Sequence, residues 1–354
     1  MSKFWNDTIR SLVPYVPGEQ PKVSNLVKLN TNEHPLPPSK SVMEAIAAVQ
    51  ADDLRRYPDP ESLNLRGAIA SVESLSVGEV FVGNGSDEVL GLIFQGFLAG
   101  SDPLTVPAIS YGFYPVWARL NGLQINPIPL RDDFSLDLEG FSKSSGPLLF
   151  ANPNAPTGLS VSMAEIEWLL ENNTDRLVVV DEAYFGFGSE TAAPLIARYD
   201  NLLITRTLSK SHSLAGLRVG YALGDSTLID GLVRIKDSFN SYPVDAIAQA
   251  AAAAAIRDVD WLTEASAVVV ENREALAGAL VERGFEVTAS TANFLFVRHK
   301  NGGGKALFNR LRGEGLIVRR WDSESIQDWL RVTVGSTRQH KVLLDAIDRS
   351  LEAG

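Results

Sequence analysis

Lys210 lies in the small-residue segment Thr207-Leu208-Ser209-Lys210-Ser211, just after the apolar run Leu202-Leu203-Ile204. A lysine in such a turn at the ligand edge of a sheet can lose its water, which lowers its pKa and makes the amine nucleophilic. Arg218 follows eight residues later, after Ala215-Gly216-Leu217. Its forked guanidinium suits an anion held beside that lysine. A solvated lysine and a surface ion pair are the plain alternatives for these two. Asp181-Glu182-Ala183-Tyr184 closes a second apolar run, Leu177-Val178-Val179-Val180. Asp181 could pair with a protonated nitrogen in a bound aromatic ring, or could cap a helix. Gly83-Asn84-Gly85-Ser86-Asp87-Glu88 precedes a helical pattern with apolar Val89, Leu90, Ile93, Phe94 and Phe97. Glycines before a helix N-terminus expose N–H groups that bind phosphate. The longer dinucleotide fingerprint is missing, which counts against a nicotinamide cofactor. Asp87 also reads as a partner of the helix dipole.

These groups need a scaffold that brings strand ends together. Leu148-Leu149-Phe150-Ala151 joins the two runs above as a third short apolar segment, and helical segments separate them. That alternation predicts buried parallel strands in an α/β sheet, which binds ligands at its carboxyl edge. Residues 1–40 are rich in proline and read as an arm lying over another part of the protein. Residues 41–256 form the expected large domain, ending in a helix over Ala246–Ile256. A long helix from Trp261 to Glu282 stops at Gly284, and the boundary to a smaller α+β domain, 257–354, falls beside it. Strands are expected at Phe285–Val287, Phe294–Val297, Leu316–Val318 and Leu330–Val334, with helices at Lys305–Arg312 and Thr337–Leu351. Ser336 and Gln339 have the spacing of a capping box for the last helix.

Composition narrows the function classes. The 354 residues include no cysteine, which removes disulfides, thiol nucleophiles and thiolate metal sites and fits a reducing cytoplasm. Four histidines disfavour a histidine-rich metal centre, and no metal is expected. A net charge of −11 argues against nucleic acid as a partner. No apolar stretch approaches the roughly 20 residues of a membrane span, and no signal-peptide core opens the chain.

The order of these features, from phosphate-suited turn through Asn-Pro segment and strand-end Asp to Ser-Lys and Arg, resembles fold-type I pyridoxal-phosphate enzymes. Asn152-Pro153-Asn154-Ala155-Pro156-Thr157-Gly158, Asp181-Glu182-Ala183-Tyr184 and Thr207-Leu208-Ser209-Lys210 with Arg218 look like class II aminotransferases. Leu12-Val13-Pro14-Tyr15-Val16-Pro17-Gly18-Glu19, Lys28-Leu29-Asn30-Thr31-Asn32-Glu33, Tyr57-Pro58-Asp59 and Leu330-Arg331-Val332-Thr333-Val334-Gly335 are similar to the histidinol-phosphate aminotransferase family, over essentially the whole chain. The resemblance implies a large domain with a mostly parallel sheet flanked by helices and a smaller α+β domain.

The resemblance also implies roles. Lys210 carries pyridoxal phosphate as a Schiff base and moves the substrate's Cα proton. Asp181 pairs with the ring nitrogen, Tyr184 bonds the phenolic oxygen and Tyr111 stacks on the ring, with Phe113 left to the core. Ser86, Asp87, Thr207, Ser209 and Arg218 surround the cofactor phosphate, and Tyr57 reaches in from the second subunit of a homodimer with shared sites. Tyr15, Asn32, Arg319 and Arg331 bind the substrates, histidinol phosphate and glutamate or 2-oxoglutarate, in histidine biosynthesis. Arg320 could serve in place of Arg319. Two positions depart from the pattern. Many relatives have Asn where this chain has Ala155, so Asn154, or else Asn152, is expected at the phenolic oxygen. His34 replaces a common Asn and is either substrate-facing or a solvated loop residue. An aromatic or broad-specificity aminotransferase is the alternative, followed by a decarboxylase of threonine phosphate; a regulatory cofactor-binding domain would need a DNA-binding module.

Overall fold

Short runs of leucine and β-branched residues have no amphipathic side to offer water, so they pair with one another and are covered on both faces. The computed structural model describes residues 2–21 and 26–352. A short strand, β1 (Val27–Lys28), precedes seven strands that form one sheet: β2 (Val80–Gly83), β3 (Leu104–Pro107), β4 (Ile125–Ile128), β5 (Leu148–Ala151), β6 (Val178–Asp181), β7 (Leu202–Thr207) and β8 (Gly220–Gly224). Their order is β2-β8-β7-β6-β5-β3-β4. From β4 to β7 the neighbours are parallel, and β8 alone runs against the rest. Every residue of β2, β5, β6, β7 and β8 is buried, whereas the edge strand β4 is not and carries Pro127. Helices cover both faces and give two apolar cores, one containing Val180 and Ile204, the other Val179 and Leu203.

The C-terminal part is built on β9 (Phe285–Val287), β10 (Phe294–His299), β11 (Leu316–Ile317), β12 (Arg319–Arg320) and β13 (Leu330–Thr333). Four of these form an antiparallel sheet in the order β12-β13-β10-β9. Helices Val259–Glu282, Gly304–Gly313 and Thr337–Glu352 pack on it around Leu276, Leu311 and Leu343. The strand expected over Leu316–Val318 ends at Ile317, and a separate short strand that was not expected follows at Arg319–Arg320. β11 pairs with β1 in parallel and β12 pairs with β13, because the chain leaves one partner for another at Val318. The N-terminal arm is therefore partly integral: β1 and the buried Leu29 belong to this smaller core.

Helix Ala246–Arg257 and helix Val259–Glu282 meet at Asp258, whose carboxylate caps the second helix through Trp261 N and accepts from Ser41 Oγ at 2.6 Å. Ser336 and Gln339 make the reciprocal bonds of a capping box. Among the described residues no helix is long and apolar enough to cross a membrane.

Candidate active site

The carboxyl ends of β6 and β7 and the turn after β2 open onto one cavity. Lys210 enters it three residues past β7, and its Nζ donates to the carbonyl of Thr31 at 2.8 Å. Burial and the nearby Arg331 charge lower the Lys210 pKa from 10.5 to about 8, although Glu33 opposes the shift. Glu33 is itself held by Lys28 at 2.5 Å.

Asp181 ends β6 and is buried. Its Oδ2 accepts from the Tyr114 hydroxyl at 2.8 Å, and its Oδ1 accepts from Thr205 Oγ1 at 3.1 Å and Ala183 N at 3.2 Å. These bonds favour the anion, yet desolvation wins and raises its pKa to about 6. A buried carboxylate with neutral donors only is suited to a cationic N–H partner. Tyr184 packs edge-on against Phe294 and accepts a hydrogen bond from Asn32 Nδ2 at 2.9 Å. Burial raises its pKa.

The turn after β2 leads into helix Gly85–Ile93, which presents Ser86 and Asp87 to the cavity. Asp87 accepts from the Tyr111 hydroxyl at 3.0 Å and from Arg218 at 3.2 Å, so its carboxylate serves the cavity wall rather than the helix dipole alone. Arg218 also reaches Ser209 Oγ at 3.4 Å. Two glycines permit this closeness. A Cβ on Gly220 would lie 2.2 Å from Ser86 N, and one on Gly85, at φ +83°, would lie 2.6 Å from the Arg218 guanidinium. Ser86, Thr207, Ser209 and Arg218 thus border one end of the cavity, with helix N–H groups beside them.

Arg319, Arg331 and Tyr15 line the cavity as well. Tyr15 comes from the arm and lies beside Tyr111 and Phe113. Arg320 points away and is bonded to Asp322 and the Gln327 carbonyl, which leaves Arg319 as the cavity arginine.

Four residues, Asn154, Asn152, Asn32 and His34, are placed otherwise than expected. Asn154 spends its amide on Ile109 O, Thr157 Oγ1 and Ser110 Oγ, and Asn152 bonds Val161 from both ends of its side chain. Neither faces the cavity, and Ala155 lines it instead. The Asn154 amide is drawn to the Ile109–Ser110 segment, more than forty residues away, and the Asn152 amide to the backbone of Val161. Asn32 stands behind the wall, holding Tyr184 and Thr333. Tyr57, expected to serve the site of a second copy, is 81% exposed and stacks on Tyr242 outside the cavity lining of its own chain. His34 is neither substrate-facing nor solvated: it packs against Phe187 and Trp261, and burial lowers its pKa to about 4.

Sequence reasoning passed over Tyr114, Thr205, Glu33 and Trp321. Thr205 is the parallel register partner of Asp181, a relationship with no local signal. Tyr114 had one, three residues after Tyr111 at a helix start.

Comparison with known proteins agrees with this geometry. The model of the aminotransferase class I and II family matches residues 24–347. Histidinol-phosphate aminotransferase of Gluconacetobacter diazotrophicus is 49% identical over 347 residues, 98% of each chain. The Pseudomonas putida protein of the same name is also 49% identical, over 98% of this chain and 100% of its own. The crystal structure of histidinol-phosphate aminotransferase from Sinorhizobium meliloti, in complex with pyridoxal-5'-phosphate, superposes with a TM-score of 0.90 at 24% identity, covering 100% of this chain and 99% of that one, and so shares the fold. This chain belongs to the class I and II aminotransferases and, within them, to the histidinol-phosphate aminotransferase family.

Proposed function

We propose that the protein moves the amino group of histidinol phosphate to 2-oxoglutarate, giving imidazole-acetol phosphate and glutamate, with pyridoxal phosphate held at Lys210. The observation that carries this reading is one cavity containing a desolvated lysine amine, a buried carboxylate lacking a cationic partner and three cavity-lining arginines, Arg218, Arg319 and Arg331. The residues present fit the cofactor. Asp181 offers a charge for a ring N–H, and Arg218, Ser86, Thr207 and Ser209 offer donors for a phosphate.

Bound there, pyridoxal phosphate supplies an electron sink for the pair left when the substrate Cα–H bond breaks. Asp181 keeps the ring nitrogen protonated by its negative charge. Tyr184, whose hydroxyl accepts from Asn32 and so keeps its own proton free to donate, would hold the cofactor's phenolic oxygen. Tyr111, which lines the cavity with its hydroxyl held by Asp87, would help to hold the cofactor ring. Lys210, with a pKa near 8, is basic enough to take the Cα proton and acidic enough to return it. Arg331, Arg319 and Tyr15 grip the substrate anion and orient the bond to be broken.

Tyr57 completes the cofactor-phosphate site from a second copy, in a homodimer with shared sites. The chain is organised as an arm (1–40), a large cofactor-binding domain (41–256) and a small domain (257–354), and acts in the cytoplasm. The direct test is glutamate formation from histidinol phosphate and 2-oxoglutarate, run beside a panel of aromatic amino acids. The reading expects histidinol phosphate to be strongly preferred; faster turnover of the aromatic donors would replace it with an aromatic aminotransferase.

A further inference from the structure

Arg319 and Arg331 face each other in register across β12 and β13. Like charges placed directly opposite on paired strands repel and destabilise the pair. Among the described residues neither arginine has an ion-pair partner; each spends one N–H on a backbone carbonyl, Arg319 on Val16 and Arg331 on Asn30. Arg331 Nε is buried and has no hydrogen-bond partner at all. Something other than a carboxylate must hold two cations at one wall.

Trp321 meets that need. It lies two residues past Arg319, on the same side of the extended chain, and lines the cavity. The guanidinium carbon of Arg319 is 5.8 Å from its ring centre and that of Arg331 is 5.5 Å; Phe294 lies 5.2 Å from Arg331 as well, so Trp321 is the ring that the two cations share. From behind, Phe296 meets the indole at 6.3 Å and stacks on Trp329 at 4.7 Å, so the ring is braced. An aromatic face attracts cations without consuming their N–H donors, whereas a carboxylate would take them. We propose that Trp321 is a specificity-determining residue that holds Arg319 and Arg331 as an open double fork for the dianion of a phosphate monoester.

The inference rests on the proposed reading and deepens it. A phosphate monoester carries two negative charges and several acceptor oxygens, enough to engage both forks together. Glutamate carries its two charges on separate carboxylates, each a monoanion that one fork satisfies, so loss of the ring that holds both forks together harms the phosphorylated donor more than glutamate.

The test uses the cofactor-loaded enzyme with Trp321→Ala, Trp321→Leu and Trp321→Phe. Each half-reaction is measured, and inorganic phosphate is titrated calorimetrically. Two weakened cation–ring contacts predict that the kcat/KM ratio of histidinol phosphate to glutamate falls about tenfold in the Ala and Leu variants, with KM rather than kcat carrying the change. Phosphate affinity should fall with it, and Phe should restore most of both. A Leu variant that behaves like Phe would show that bulk alone matters and overturn the ring's role. An equal loss in both half-reactions, or none, would overturn it as well. A wild-type enzyme inactive on histidinol phosphate would instead remove the reading on which the inference stands.

Discussion

The side-chain amide of Asn32 donates to the hydroxyl of Tyr184 at 2.9 Å, joining the arm to the end of the central sheet. Asn32 adopts φ +55° and is fixed on its other side by Thr333, which donates to Asn32 Oδ1 at 3.0 Å and accepts from Asn32 N. The amide therefore sets the direction of a phenol proton in the active site. Asn32→Ala should cut turnover roughly tenfold, the scale of one neutral hydrogen bond. Thr333→Val, which removes only the brace, should cut it less. Steady-state kinetics of the two variants, with thermal melts to show that both fold, checks the order; a larger loss in Thr333→Val would contradict the relay.

The position of Lys210 gives a pH prediction. Its amine is nucleophilic only when neutral, and a pKa lowered to about 8 makes that form abundant earlier than for a free lysine. Covalent capture of pyridoxal phosphate by the cofactor-free protein should rise with pH and level off above about pH 8. Glu33→Gln removes a charge that favours the protonated amine, so the inflection should move to lower pH. Stopped-flow absorbance gives the profile, and borohydride fixation with peptide mapping should place the label on Lys210. A rate still climbing at about pH 10 would mean that the amine is not desolvated.

Much of this site was legible because its residues follow strong local signals. Apolar runs ended at Asp181 and Thr207, and strand ends are where open α/β sheets bind ligands. The break at Val318 between β11 and β12 was not legible, since the pairing partners are the distant β1 and β13. Asn154 misled for a related reason: its motif identifies a loop, but which way an amide points depends on Ile109 and Ser110 more than forty residues away. The Arg319–Arg331 register and the indole beside it are likewise products of strand pairing.

Asp181 links the chemistry to stability. Its folded-state pKa is raised from 3.8 to about 6, so in the cofactor-free protein it contributes stability at low pH that is lost as pH rises toward and through 6. Raising the carboxyl from 3.8 to about 6 corresponds to a cost of roughly 3 kcal/mol for keeping the anion buried. Asp181→Asn removes that cost, and Tyr114 can turn its hydroxyl to accept from the new amide. The cofactor-free variant should therefore unfold at a higher temperature than wild type at pH 8, with the gap narrowing near pH 4. Turnover should collapse, because no charge then holds the ring nitrogen's proton. Calorimetry at the two pH values tests the first half; a variant less stable than wild type at pH 8 would contradict the electrostatic account.

The close packing of β8 on the first turn of helix Gly85–Ile93 should be unforgiving. Gly220→Ala puts a Cβ 2.2 Å from Ser86 N, a backbone atom that cannot rotate away. The strand and the helix N-terminus must separate, which displaces the N–H groups beside Arg218. Cofactor affinity should fall by at least about tenfold, and overpacking should cost roughly 1–3 kcal/mol of stability. Gly216→Ala is the control, since its added methyl meets no atom within 4 Å. Fluorescence titration with pyridoxal phosphate separates the two variants.

The dimer prediction rests on an exposed aromatic group. Tyr57 is 81% exposed, Phe239 75% and Tyr242 42%, and the two tyrosine rings stack with centres 4.6 Å apart. Aromatic surface left open in this way favours a protein contact. In a two-fold dimer any residue that one copy lends to the other is lent in return. A chain with Lys210→Ala keeps its Tyr57, and a chain with Tyr57→Asp keeps its Lys210. The aspartate places a negative charge where a phosphate is to be held, so each parent dimer should be inactive. After random exchange half of the dimers are mixed, and each mixed dimer has one intact site, so activity should return to roughly a quarter of wild type. Subunit exchange is followed by mass spectrometry of differently tagged chains. Mixed dimers that form and stay inactive would show that Tyr57 serves its own chain or no site at all.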